Sequence, residues 1–267
     1  MNCWICGNIA NSKEHRFKAS DIKRIYGKKF NGFHVKGTNS TPIKSYKDRT
    51  LKFPEIICEY CNITRTREHD EAYDVFSKYC FENYQSLLSE KEINFKAIYK
   101  ANWKNEKRNL YKYFAKHAGC KIYISNQKKD LTDLSNFILG KSETLKFVLY
   151  FELKMIIKAL HDFYNKKSKY GHLYNSPTIY YGNTESLTFA GWVSNNWITT
   201  NWVYSSKANK ILNFNKSIEN IAIIKLGDKY NEILENTLNY DDYIHKIENG
   251  TLDSFDKKIE HFNKIIN

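Results

Sequence analysis

The chain has 267 residues, 42% of them hydrophobic and 15% aromatic, and carries a formal charge of +13. That apolar content excludes a disordered polypeptide and suffices for one large domain or two modest ones. No apolar run approaches the roughly 18 residues that a bilayer span needs, and no signal-peptide profile opens the sequence, so a soluble, cytoplasmic protein with no membrane partner is expected.

In chain order, the first element is a knuckle. Cys3 and Cys6 are separated by two residues, and so are Cys58 and Cys61. Each two-residue gap lets a turn aim both sulfurs at one ion, so four thiolates in two pairs predict a structural Zn²⁺. In a reducing compartment, cysteines favour metal over disulfides. Cys80 and Cys120 stand outside the pattern and read as buried thiols. Glu14-His15 follows on a short extended segment, and Ser20 is a candidate cap for a helix from Asp21 to Tyr26, stopped by Gly27. Residues 28–54 read as a polar, basic loop region. Glu55-Ile56-Ile57 reads as a strand end delivering Cys58.

From Asn62 the pattern turns helical. Tyr73, Phe76, Tyr79 or Cys80, Tyr84, Leu87 and Leu88 recur at three- and four-residue steps and form one apolar stripe. A second helix is predicted over Ile93 to Ala118, with Gly119 as its stop. Leu131 to Leu139 reads as a short helix, and Leu145 to Leu160 is ambiguous between strand and helix. Thr178 to Tyr181, Leu187 to Val193, Trp197 to Tyr204 and Ile221 to Leu226 read as strands, the middle two as a hairpin. Residues 241–267 read as a polar helical tail. The resulting division is a metal module over 1–90, a helical connector over 91–120 and a C-terminal α+β domain over 121–267.

Charge is unevenly spread. Residues 1–50 hold 11 Lys and Arg against 3 Asp and Glu, whereas residues 51–100 hold 7 against 9. A basic field of this kind draws in polyanions. Glu14, His15 and Asn62 supply a carboxylate, an imidazole and an amide, donors suited to Mg²⁺ or Mn²⁺ rather than to a second zinc. His15, with an ordinary pKa near 6.5, is suited to take a proton from water.

Glu14-His15, then a spacer, then Cys58-Glu59-Tyr60-Cys61-Asn62 resembles the HNH (ββα-metal) endonucleases, in the branch whose core is tied by a four-cysteine zinc. Thr66, Asp70, Tyr73 and Phe76 resemble the helix that follows in that branch. The resemblance covers about the first 80 residues. It implies an α+β protein with an N-terminal ββα-metal module, Glu14 and Asn62 as ligands of a catalytic Mg²⁺ or Mn²⁺, His15 as general base, and DNA as substrate. The family's middle asparagine, expected a few residues before Cys58, is missing; the segment reads Leu51-Lys52-Phe53-Pro54-Glu55. Arg16, Arg65 and Arg67 are candidate phosphate contacts, while His69 and Asp70 read as solvated residues on a charged helix.

The expected function is a metal-dependent DNA endonuclease of the kind used in restriction, mobile elements or phage defence. Its C-terminal domain would choose the substrate or sense a regulatory protein or small ligand, and double-strand cleavage would imply a homodimer or sequential nicking. The competing expectation is a non-catalytic zinc-stapled nucleic-acid-binding protein.

Overall fold

The computed structural model describes residues 1–36, 39–90, 92–125, 130–142, 144–154, 173–176, 178–181, 188–195, 198–205, 212–213 and 220–226. The predicted tail over 241–267 and the second half of the 145–160 segment lie outside these residues.

The first 66 residues make little regular structure and rely on short pairings. Residues 11–16 run antiparallel to residues 51–57. Bridges form at Ser12 with Ile57 and at His15 with Lys52, and Phe53 N–H donates to the Glu14 carbonyl at 2.8 Å. Between these two segments the chain makes an excursion. It comprises α1 (Ala19–Tyr26), then β1 (Lys29–Lys36) and β2 (Asn39–Ser45). Gly27 ends α1 at φ +84°, the left-handed region that glycine enters without a Cβ penalty. Ser20 does not cap this helix; its hydroxyl donates to Asp74 at 2.5 Å instead. The expected loop over 28–54 is therefore mostly an antiparallel ribbon, followed by a short helical turn at Arg49–Leu51. Ile43 is the ribbon's buried anchor.

After Cys58 the chain makes a π-helical turn, Tyr60–Arg65, and enters α2 (Arg67–Glu82), then α3 (Tyr84–Glu90). Of the predicted stripe, Tyr73, Phe76, Cys80 and Leu87 are buried. The single helix expected over 93–118 is divided into β3 (Glu92–Asn94), α4 (Phe95–Tyr99) and α5 (Trp103–Tyr123). The break falls at Lys100, whose φ of 58° no helix accommodates. Asn94 caps α4 by accepting from Ala97 N–H at 2.8 Å. Helix α5 does not stop at Gly119. That glycine sits mid-helix because the indole of Trp4 lies directly on it, where a side chain would collide.

The C-terminal half adds α6 (Thr132–Ile138), β4 (Thr144–Leu145) and β5 (Phe147–Lys154), then β6 (Leu173–Asn175), β7 (Ile179–Tyr181), β8 (Thr188–Asn195), β9 (Ile198–Ser205), β10 (Leu212–Asn213) and β11 (Asn220–Leu226). A seven-stranded sheet runs β3-β11-β5-β9-β8-β6, with β7 also on β8; only β11 and β5 are parallel. The expected hairpin is β8–β9, and Trp202 is a fully buried part of its inner face. Helix α5 is the spine. Its buried residues, from Leu110 to Ile122, join one continuous core with Cys3, Ile5 and Cys61 of the knuckle, Tyr73 and Phe76 of α2, and Phe147, Phe151 and Trp202 of the sheet. This core crosses the boundaries expected near residues 90 and 120. Mixed helix and antiparallel sheet make the protein α+β. No helix among the described residues is long and apolar enough to cross a membrane.

Replacing Gly119 by Ala separates packing from helix propensity. Alanine favours an isolated helix by about 1 kcal/mol, yet here its methyl would displace Trp4. A net loss of about 1–3 kcal/mol in chemical denaturation is expected, and a Trp4→Ala background should remove most of that loss.

Candidate functional site

The four paired cysteines converge. Their Sγ atoms all lie within 4.8 Å of one another, with Cys6 and Cys58 at 3.6 Å. A tetrahedral zinc with Zn–S near 2.3 Å spaces its sulfurs about 3.8 Å apart, so the set fits a structural zinc. No disulfide links the described cysteines. Cys3 is drawn down to about 4 by the hydrogen bond from the Cys61 thiol, and that same contact pushes Cys61 up. Backbone and side-chain donors complete the surroundings. Cys61 N–H reaches Cys58 Sγ at 3.4 Å, and Arg65 Nη1 reaches Cys61 Sγ at 3.5 Å.

Glu14 and His15 sit where the 11–16 segment pairs with 51–57, and they face different surroundings. The Glu14 carboxylate is buried. One oxygen accepts from the backbone N–H of His15 at 3.0 Å, and the other meets Lys116 Nζ at 3.0 Å. Lys116 lies wholly inside the protein and also contacts Asp70 at 2.9 Å and Thr66 Oγ1 at 3.1 Å. Asp70 takes a second ammonium from Lys18 at 3.1 Å. Burial would raise the Asp70 pKa, but Lys116 and Lys18 together hold it below its ordinary value. Desolvation likewise opposes the Lys116 charge, and its two carboxylates overcome that to push it up.

His15 is about two-thirds buried, and burial lowers its pKa against the opposing pull of Glu14; Lys52 and Lys18 lower it further. The Tyr46 carbonyl lies beside the ring. Nε2 is shielded from solvent and has no hydrogen-bond partner among the described residues. An orphaned imidazole nitrogen is uncommon in a settled interior; among the described residues His69 Nδ1, His117 Nδ1 and Trp4 Nε1 share that condition, and His15 is the one of them that adjoins the Glu14 carboxylate in sequence. Asn62 stands in the π-helical turn, where its amide nitrogen donates to Ser12 Oγ at 2.9 Å.

The arginines divide. Arg16 is half-buried, with Nε donating to the Lys52 carbonyl at 3.1 Å and its guanidinium 4.7 Å from the Phe53 ring, so it ties the paired segments together. Arg65 is exposed over Tyr60 and touches the sulfur cluster; Arg67 is exposed at the start of α2. The solvated placement expected for His69 and Asp70 is not what the fold gives. His69 is buried, and desolvation together with Lys112 and Lys116 lowers it to about 3. Asp70 is a counter-ion of Lys116. Lys116 itself was invisible to sequence reasoning, since a lysine on a basic helix reads as surface. The only cue was its i+3 and i−3 neighbours, Gly119 and Tyr113, which place it on the core side of α5.

No family model, no curated protein and no solved structure matches the chain.

Two measurements follow. Metal analysis should return one zinc per chain, and Cys58→Ser or a strong chelator should remove it together with cooperative unfolding, since metal-binding free energy is folding free energy in such sites. Lys116→Met leaves Glu14 buried without its ammonium, and a loss of about 3–5 kcal/mol is expected in urea melts. Pairing it with Glu14→Gln should recover part of that loss.

Proposed function

We propose that the chain is an HNH-type, metal-dependent endonuclease that hydrolyses DNA phosphodiester bonds with His15 as general base. The observation that carries this reading is the orphaned Nε2 of His15, held next to Glu14 in a paired segment that the sulfur cluster anchors and α2 follows. In support, burial keeps the imidazole below its ordinary pKa, so it is neutral and able to accept a proton at pH 7. The basic N-terminal field suits a polyanionic substrate.

Glu14 and Asn62 would hold the Mg²⁺ or Mn²⁺. Asn62 uses only its amide nitrogen on Ser12, which leaves its oxygen to coordinate. Glu14 is committed to Lys116, yet that ammonium keeps Asp70 at 2.9 Å when Glu14 turns away. The carboxylate can therefore be shared without stranding a buried charge. When bound, the cation supplies positive charge to the scissile phosphate and the departing oxygen. The chain's own part is then specific: His15 takes a proton from water, Glu14 fixes the His15 backbone through its N–H, and Lys52 and Lys18 add positive charge around the phosphate.

A second reading, a zinc-stapled nucleic-acid-binding protein without catalysis, is favoured by the same Glu14–Lys116 pair if that pair never opens. Plasmid relaxation separates the two. Wild-type protein with Mg²⁺ or Mn²⁺ should nick supercoiled DNA, and His15→Ala should lower the rate by at least about 10²-fold with zinc content unchanged. Absence of nicking by wild type with either cation overturns the nuclease and leaves the binder.

A further inference from the structure

The β1–β2 ribbon and the turns at its root carry a run of basic residues. From residue 22 to residue 47 there is no acidic residue, against seven Lys and Arg. The two carboxylates that border this stretch are spent internally. Asp21 is buried and accepts from Tyr73 Oη at 2.7 Å, from Ser77 Oγ and from Arg24 Nη1 at 2.7 Å. Asp48 accepts from the N–H and hydroxyl of Thr50 at 2.9 and 2.8 Å. Lys28, Lys29, Lys44, Lys47 and Arg49 are exposed, and none forms an ion pair among the described residues. Such a concentration of unopposed charge repels itself, so its counter-charge is supplied from outside.

The shape narrows what can supply it. Among the described residues, β1 and β2 pair only with each other and belong to no larger sheet. They are rooted by Ile43 against Ile22 and Leu51, and by Phe30 stacked on Tyr26 at 5.1 Å. Eight residues of strand extend for about 26 Å. A free two-stranded ribbon is an element that the major groove of B-form DNA, about 12 Å wide, admits. The root also lies at the candidate site. Ser45 ends β2, and the next residue, Tyr46, sets its carbonyl beside the His15 imidazole.

We infer that the β1–β2 ribbon is a DNA-docking arm that enters the major groove of a B-form duplex, its lysines on the flanking phosphates, and so presents the backbone to His15. The choice of DNA as partner rests on the function proposed above; the ribbon's role as a polyanion dock rests on its own charge and shape.

Equilibrium binding of a short labelled duplex, read without added Mg²⁺ or Mn²⁺ so that no cleavage intervenes, tests this. Each phosphate contact contributes about 0.9 to the slope of log K against log salt. The variant K28Q/K29Q/K44Q/K47Q should flatten that slope by about 3–4 and weaken binding more than about tenfold at low salt. The matching Lys→Arg variant should retain wild-type binding. Four single Lys→Gln variants, each flattening the slope by about 1, serve if the quadruple variant loses its zinc. An RNA duplex of equal length should bind more weakly, because the A-form major groove is too deep and narrow for a ribbon. An unchanged slope in the Gln variants overturns the arm, and equal affinity for the RNA duplex overturns groove entry. A protein that binds through the ribbon but never nicks plasmid loses the nuclease reading alone. One that nicks plasmid while its Gln variants bind as wild type loses the ribbon alone.

Discussion

The structure depends on four sulfurs meeting. Cys3 and Cys6 stand at one end of the chain's first excursion, and Cys58 and Cys61 at the other. Between them lie the paired segments 11–16 and 51–57, with α1 and the ribbon suspended beyond. Few backbone hydrogen bonds hold this region, and its paired segments bury only a handful of apolar side chains. A polypeptide of that kind does not organise itself by hydrophobic burial alone. Closing the loop at its base with a metal would set the register of the two segments and, through Trp4, seat the knuckle on α5 at Gly119. The position of Glu14 and His15 then follows from the geometry of the loop's base rather than from their own contacts.

Against that frame stands the Lys116 ammonium. It lies inside the protein with Glu14, Asp70 and Thr66 around it, and Lys18 extends the cluster outward through Asp70. An ammonium with two carboxylates and a hydroxyl is well compensated, so the cluster holds α5, α2 and the 11–16 segment together at small net gain. The cost appears only when one member is removed. A divalent cation at Glu14 would compete with Lys116 for the same carboxylate, and Asp70 is what makes that competition tolerable. The acidic residue on α2 that looked solvated is thus the hinge of the electrostatics around the site.

Much of this was legible in the sequence, and the losses have identifiable causes. The two Cys-x-x-Cys pairs announced the sulfur cluster because spacing alone constrains it. The Tyr73–Phe76–Cys80 stripe announced α2, and the aromatic and β-branched residues of Leu187 to Val193 and Trp197 to Tyr204 announced the β8–β9 hairpin. Gly119 misled because a glycine late in a helical stretch usually means a stop; here it means an indole from the knuckle, a contact over a hundred residues away. The β1–β2 ribbon was hidden by its composition: Asn31-Gly32 lies in its first strand and Pro42 in its second, signals of a loop rather than of a strand. The break at Lys100 left no mark, because lysine carries no propensity for positive φ. The Lys116 counter-ion and the burial of His69 depend on how α2 packs on α5 and had no local signature.

The same packing decides how far the N-terminal segment stands on its own. The backbone carbonyl of Arg16, one residue past His15, is met from two directions: by His117 Nε2 of α5 at 2.9 Å and by Asn175 Nδ2 of β6 at 3.3 Å. Asn175 is itself gripped by Lys121, whose ammonium also donates to the Ser176 carbonyl at 2.6 Å and is pulled down by burial to about 7. Direct contacts therefore run from the sheet through β6 to the Arg16–Phe17 peptide, one residue past His15. The segment that carries His15 is thus tied to residues 51–57 on one side and, at Arg16, to α5 and β6 on the other. A shift of β6 relative to α5 would alter the hydrogen bonds at Arg16 before it altered anything else near the site. The segment that carries His15 is held by the wider core and not by the four-cysteine loop alone.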